Sequence, residues 1–128
     1  MKVSVMYSTL IVKDLDESEA FYADALGFSR GYHVDLPAGM GRITIMESPD
    51  GACVELIEST HYPIGMYSVG TDVDDLDEVL AKLAEKDIQP TGPIMPTSVG
   101  RQTFVLDPNG VRICLIEHTE AYRQTYMG

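Results

Sequence analysis

The sequence is short of positive charge. Nine Lys and Arg stand against 20 Asp and Glu in 128 residues, a formal net charge of −11. A chain so acidic repels phosphate backbones and anionic bilayers, which excludes nucleic acid and membranes as expected partners. No apolar run approaches membrane-spanning length, and Met1-Lys2-Val3-Ser4-Val5 passes straight into strand-like alternation without an apolar leader, so a cytoplasmic location is expected. Cysteine is scarce as well. Cys53 and Cys114 both lie in apolar runs, where a reduced thiol acts as a small hydrophobe, and no disulfide is expected. His33, His61 and His118 show no paired metal-ligand spacing, so surface or loop roles are expected of them. His33 alone stands in a strand that could face a ligand.

What remains is enough for one hydrophobic core, with 45% of residues apolar, and a single domain over 1–128 is expected. The chain also repeats itself. Val12-Lys13-Asp14-Leu15-Asp16-Glu17 is echoed by Val73-Asp74-Asp75-Leu76-Asp77-Glu78 about sixty residues on. Ser48-Pro49-Asp50-Gly51 followed by Val54-Glu55-Leu56-Ile57-Glu58 is likewise echoed by Asp107-Pro108-Asn109-Gly110 followed by Ile113-Cys114-Leu115-Ile116-Glu117. Each half reads as strand, helix, strand, then two strands closed by a tight turn.

Asp14 with Glu17, and Asp75 with Glu78, have the spacing of an N-cap and a returning carboxylate, so helices start there. Phe21, Tyr22, Ala25 and Leu26 make one apolar stripe, and Leu76, Val79, Leu80, Leu83 and Ala84 another, at the spacing of helices that cover a sheet. Gly27 suits a C-cap, and the two Pro-Asp/Asn-Gly sites suit hairpin turns. The fold class is therefore α+β, two tandem βαβββ modules: module one over 1–59, a linker over 60–66, module two over 67–118 and a tail over 119–128. Segments 31–41 and 89–100 are expected to be loops, and the tail to pack on a partner or to stay disordered.

Alternation assigns each strand residue to a face. Leu10, Val12, Val54 and Leu56, with Val69, Thr71, Val73, Ile113 and Leu115, suit the helix side. The other face then carries Tyr7, Thr9, Ile11, Cys53, Glu55 and Ile57 in module one, and Ser68, Gly70, Arg112, Cys114 and Ile116 in module two. Such a mixed lining suits a small-molecule site. Glu55, flanked by apolar residues, is either partly desolvated or matched to a cation such as Arg112 or Arg101. Arg42 and Arg101 hold equivalent places and either clamp a ligand carboxylate or reach to solvent. Met40, Met46, Met66 and Met95 suit an adaptable apolar pocket or a loosely packed core.

Tyr7 through Phe28, in which Leu10-Ile11-Val12-Lys13-Asp14-Leu15 leads to Phe21-Tyr22 and Leu26-Gly27-Phe28, resembles the first module of the vicinal oxygen chelate superfamily. Glyoxalase I, extradiol dioxygenases and bleomycin resistance proteins belong to it. Ser68 through Asp107-Pro108-Asn109-Gly110 to Glu117 is similar to its second module. The resemblance implies a mixed-sheet cup around a small molecule and a homodimer, but no single activity, because this scaffold carries isomerases, lyases, dioxygenases and non-catalytic drug binders.

Metal-using members place His, Gln or Glu at the first and last strand of each module. Those places here hold Tyr7, Glu55, Ser68 and Cys114, of which Glu55 alone matches. The resemblance therefore implies no cofactor, with a divalent metal left open on Glu55 and Cys114. The leading expectation is a protein that binds an apolar or aromatic molecule, oriented by Tyr7, Thr9, Glu55, Ser68, Cys114, Arg42, Arg101, Met46 and His33. The alternative is a lyase or isomerase of the glyoxalase type, in which Glu55 takes a proton next to a carbonyl and Tyr7 or a metal stabilises the enolate.

Overall fold

The computed structural model describes residues 1–127. The chain divides into two compact units, one formed by Tyr7–Tyr67 and the other by Met1–Met6 together with the chain from Ser68 onward. The duplicated modules thus appear as units. The first six residues were expected in module one but cluster with the second unit. Local pairing explains this: the Met1 ammonium lies 3.0 Å from Glu78, and Lys2 exchanges hydrogen bonds with Asp74.

In module one, strand β1 (Val3–Val12) leads to helix α1 (Leu15–Ala20), which runs on as a π turn over Phe21–Ala25. Asp14 caps α1 by accepting from the Glu17 amide at 3.1 Å. Only part of the expected stripe faces inward. Leu15 is fully buried and Tyr22 packs on Phe28, whereas Phe21 and Leu26 are 55% and 49% exposed. The wider π turn rotates them off the face that Leu15 sets. Gly27, at φ 75°, then closes the helix, its amide bonding to the Ala23 carbonyl.

Strands β2 (Ser29–Asp35), β3 (Arg42–Glu47) and β4 (Cys53–Glu58) follow, in the sheet order β2-β3-β4-β1 with β1 and β4 parallel. The expected loop over 31–41 shrinks, because its first half pairs with β3. A turn joins β3 to β4. The Gly51 amide bonds the Ser48 carbonyl at 2.9 Å, as the Pro-Asp-Gly motif demanded.

Module two repeats the plan with β5 (Gly65–Val73), α2 (Leu76–Ala84), β6 (Met95–Thr97), β7 (Gly100–Leu106) and β8 (Arg112–His118), ordered β5-β8-β7-β6. Asp75 caps α2 from the Glu78 amide, and Gly110 closes the second hairpin turn on Asp107. β5 starts inside the expected linker, at Gly65, and the expected loop over 89–100 contains β6. The described part of the tail is structured: helix α3 (Glu120–Tyr122) continues as a π turn over Arg123–Met127, and Tyr122 is buried.

Helices α1 and α2 each sit on a core that their own module supplies. Leu15, Met46 and Leu56 pack with Leu10, Val12, Tyr22, Phe28 and Val54. Val73, Leu76, Val79, Val105 and Leu115 pack with Leu80, Leu83 and Ile113. Burying each of these leucines contributes roughly 1.5–3 kcal/mol. The helix-side assignment of the strand residues follows in both modules, and it leaves the opposite face of each sheet for other work.

Candidate functional site

On the face of module one away from α1, β1 and β4 run parallel with Thr9 beside Glu55, and β3 sets Ile45 opposite Glu55. The Thr9 hydroxyl donates to Glu55 Oε1 at 2.8 Å. Thr9 and Tyr7 are buried, Glu55 is part-buried, and Ile11 and Ile57 stand on the same face. Burial among these apolar neighbours pushes the Glu55 carboxyl pKa up, and the Thr9 hydrogen bond only partly offsets it. Arg101, one expected cation for Glu55, is engaged elsewhere. The arrangement is an acid held by one hydroxyl on an apolar wall, able to accept a hydrogen bond, meet a cation or exchange a proton.

Four expected site residues lie instead on the helix-covered faces. Met46 pairs with Val54 and is almost wholly buried under α1, so it is core. Arg42 grips Glu58 through Nε at 3.1 Å and through its terminal nitrogen at 2.9 Å, and also reaches Asp16 on α1. Glu58 in turn accepts from the Leu15 amide at 2.7 Å, satisfying a donor that the helix start leaves open. Arg101, Glu117, Asp77 and the Leu76 amide repeat this clamp in module two. The guanidinium hydrogen bonds hold both glutamates below the usual carboxylate range. Both arginines thus clamp carboxylates of their own module rather than a ligand's. The sequence carried a signal for this in the repeated Gly-Arg and Leu-Ile-Glu pairs.

His33 faces α1 too. Its Nδ1 lies 2.7 Å from the Thr44 hydroxyl and its Nε2 3.0 Å from Asp35. An Asp-His-Thr sequence of contacts suggests a nucleophile, yet Thr44 is fully buried and its hydroxyl donates to Glu19 at 3.2 Å. No substrate reaches it.

On the face of module two away from α2, Ser68 and Cys114 are both buried, and neither Cys53 nor Cys114 is in a disulfide. Farther along that face His118, expected at the surface, is buried with its Nδ1 2.8 Å from Asp72 Oδ1. Asp72 also takes both terminal nitrogens of Arg123, at 2.9 and 2.8 Å, and the Tyr122 ring stacks on His118 with centroids 4.7 Å apart. Burial holds the His118 pKa down against the pull of Asp72. This cluster escaped sequence reasoning because Asp72 reads as one of a run of acids and the tail has no pattern. A cavity of about 680 Å³ adjoins it, lined by Lys2, Ser4, Asp72, Glu120, Arg123 and Met127 among others.

Residues 4–115 match the family model described as the glyoxalase/bleomycin resistance protein/dioxygenase superfamily. The chain belongs to this superfamily. A comparison with curated proteins found no match. Among solved structures, the chain is similar to a hypothetical protein from Bacillus halodurans, at 18% identity and TM-score 0.79 over 94% of this chain and 97% of that one. Methylmalonyl-CoA epimerase from Mycobacterium tuberculosis is similar at 19% identity and TM-score 0.79, covering 94% and 91%. A methylmalonyl-CoA epimerase in complex with methylmalonyl-CoA and NH4+ is similar at 18% identity and TM-score 0.75, covering 94% and 97%. At such identities the likeness establishes the fold.

The four places that the resemblance implies for metal ligands hold a donor set that does not suit one ion. Tyr7, Glu55, Ser68 and Cys114 would offer a phenol, a carboxylate, a hydroxyl and a thiol, and hard and soft donors favour different ions. Among the described residues no group of three or more His, Cys, Asp or Glu is placed to hold an ion. Among those residues, too, no helix is long and apolar enough to cross a membrane.

Proposed function

We propose that the open face of module one binds a small, largely apolar or aromatic molecule, anchored through Glu55. The observation that carries this reading is the Thr9–Glu55 pair: a part-buried carboxyl, desolvated by an isoleucine-rich wall, with Oε1 fixed at 2.8 Å by a hydroxyl. A fold does not keep an acid in such a place for stability, because desolvating it costs free energy. A ligand that brings a cation or a hydrogen-bond donor to Oε2 recovers that cost, and the part-exposed Ile57 supplies apolar contact. Specificity then divides into apolar contact at the part-exposed Ile57, backed by the buried Ile11 and Ile45, and one polar requirement from Glu55. A thermal-shift and calorimetric screen of hydrophobic amines and phenols tests it. Ligands are expected to lose at least about tenfold in affinity to Glu55→Gln, and hits that bind the variant equally well would refute the anchor.

A second reading follows from the likeness to methylmalonyl-CoA epimerases. Glu55 would then take the proton from a carbon beside a carbonyl, the Tyr7 hydroxyl would donate a hydrogen bond to the enolate oxygen, and a proton delivered to the opposite face of the enolate would complete the epimerisation. A raised pKa suits this, since a base works best when its pKa lies near the working pH. Epimerisation of methylmalonyl-CoA, followed by uptake of solvent deuterium, tests it directly. Turnover that survives Glu55→Gln would rule this reading out and leave the binding reading standing.

A further inference from the structure

We propose that the C-terminal segment over 119–127 is a lid on the open face of module two, latched by the grip of Asp72 on His118 and Arg123, and that its opening admits small molecules to that face. Strand alternation places Asp72 and His118 on the same face as Ser68 and Cys114, because Val73 and Glu117, their neighbours in sequence, point to the α2 side. The segment crosses that face at the His118 end. There Tyr122 stacks on the imidazole, and Arg123 reaches past Asp72 to the Val73 carbonyl at 3.0 Å.

The way the segment is held is what makes it a lid. Tyr122 is its one buried side chain, while Glu120, Ala121 and residues 124–127 are exposed. One helical turn of α3 and one π turn have little stability of their own. Through Glu120, Arg123, Gln124 and Met127 the segment borders the 680 Å³ cavity, whose other walls include Lys2, Ser4 and Asp72. An element with one apolar anchor and a polar latch opens at low free energy, well below global unfolding. Asp72 joins the three parts, since its two oxygens take both His118 and Arg123. Module one has no counterpart, for the places equivalent to Asp72 and His118 hold Ile11 and Ser59.

The latch is also sensitive to acid. The groups facing the His118 ring are Asp72 from β5 and Arg123 and Tyr122 from the segment; burial disfavours the imidazolium most, Asp72 favours it and Arg123 opposes it. The closed state thus holds His118 with a depressed pKa, and the open state lets it return towards its usual value of about 6.5. Closure is at full strength above that value and weakens as pH falls below it.

Hydrogen exchange of the full chain tests the latch. In Asp72→Asn the amides of 119–127 should exchange at least about tenfold faster while β7 and β8 keep their protection, and Arg123→Gln should do the same should Asp72→Asn disturb β5. In the unsubstituted protein, opening corrected for intrinsic rates should increase between roughly pH 7.5 and 5.5, and His118→Gln should remove that dependence. Gating is read by alkylation of Cys114 in a Cys53→Ser background, expected to quicken by about tenfold with Asp72→Asn. Unchanged exchange in both latch variants, exchange that rises equally in β8, or Cys114 labelling indifferent to the latch would each overturn the proposal.

Discussion

The two modules agree on one face and disagree on the other. On the helix side, equivalent places hold Leu15 and Leu76, Asp16 and Asp77, Arg42 and Arg101, Thr44 and Thr103, Leu56 and Leu115, and Glu58 and Glu117. On the open side the pairs are Tyr7 and Ser68, Thr9 and Gly70, Ile11 and Asp72, and Glu55 and Cys114. The first set closes a core and caps a helix, tasks both copies share. The second set faces whatever the module meets, and there each copy has kept a different polar device: an acid held by Thr9 in one, a latch built on Asp72 in the other.

The severest test of the shared face is the glycine before each clamp arginine. A Cβ on Gly41 or Gly100 would stand 2.1 Å from the carbonyl oxygen of Glu58 or Glu117, where only backbone can yield. Gly41→Ala and Gly100→Ala should each cost more than about 3 kcal/mol in chemical denaturation, and tolerance of either would show that the copies are not mechanically alike. Leu15→Ala and Leu76→Ala come next, at about 2–5 kcal/mol each. A gap of more than about 2 kcal/mol between them would mean one core relaxes and the other does not.

Smaller effects separate the faces by their response to pH. Glu58 and Glu117 have lowered pKa values, so their clamps contribute stability above the unfolded carboxyl value, lost as pH falls through the folded one. Arg42→Met and Arg101→Met should therefore lower Tm at neutral pH, and the deficit should shrink in acid. Glu55 has the opposite sign. Its raised pKa means that its contribution is complete below the unfolded value and is lost as pH rises through the folded one. Glu55→Gln should then raise Tm at neutral pH, the smallest of these changes, with the gain vanishing in acid. A loss of Tm instead would identify Glu55 as a structural residue.

Much of this was legible in the chain. Repetition announced the modules, Asp14 and Asp75 their helix starts, and alternation the core, because each signal acts over a few residues and the fold obeys it. The illegible parts depended on contacts between distant segments. Phe21 and Leu26 left the apolar stripe through a π turn that no local preference announces. Met46 and His33 went to the helix side because a strand's register, rather than its composition, decides which way it points. His118 is buried by Tyr122 and Asp72, neither of which lies beside it in a recognisable motif. Glu55 stood out because an acid amid branched apolar residues is anomalous without any structure.

The Gly-Arg clamp has a consequence for how such a protein changes over time. Glycine, arginine, glutamate and capped helix all come from one half of the chain, so each copy maintains its own architecture without help from residues that line a ligand. Substitutions on the open side are thereby insulated from the cost of keeping the helix in place, and the two halves are free to drift towards different tasks.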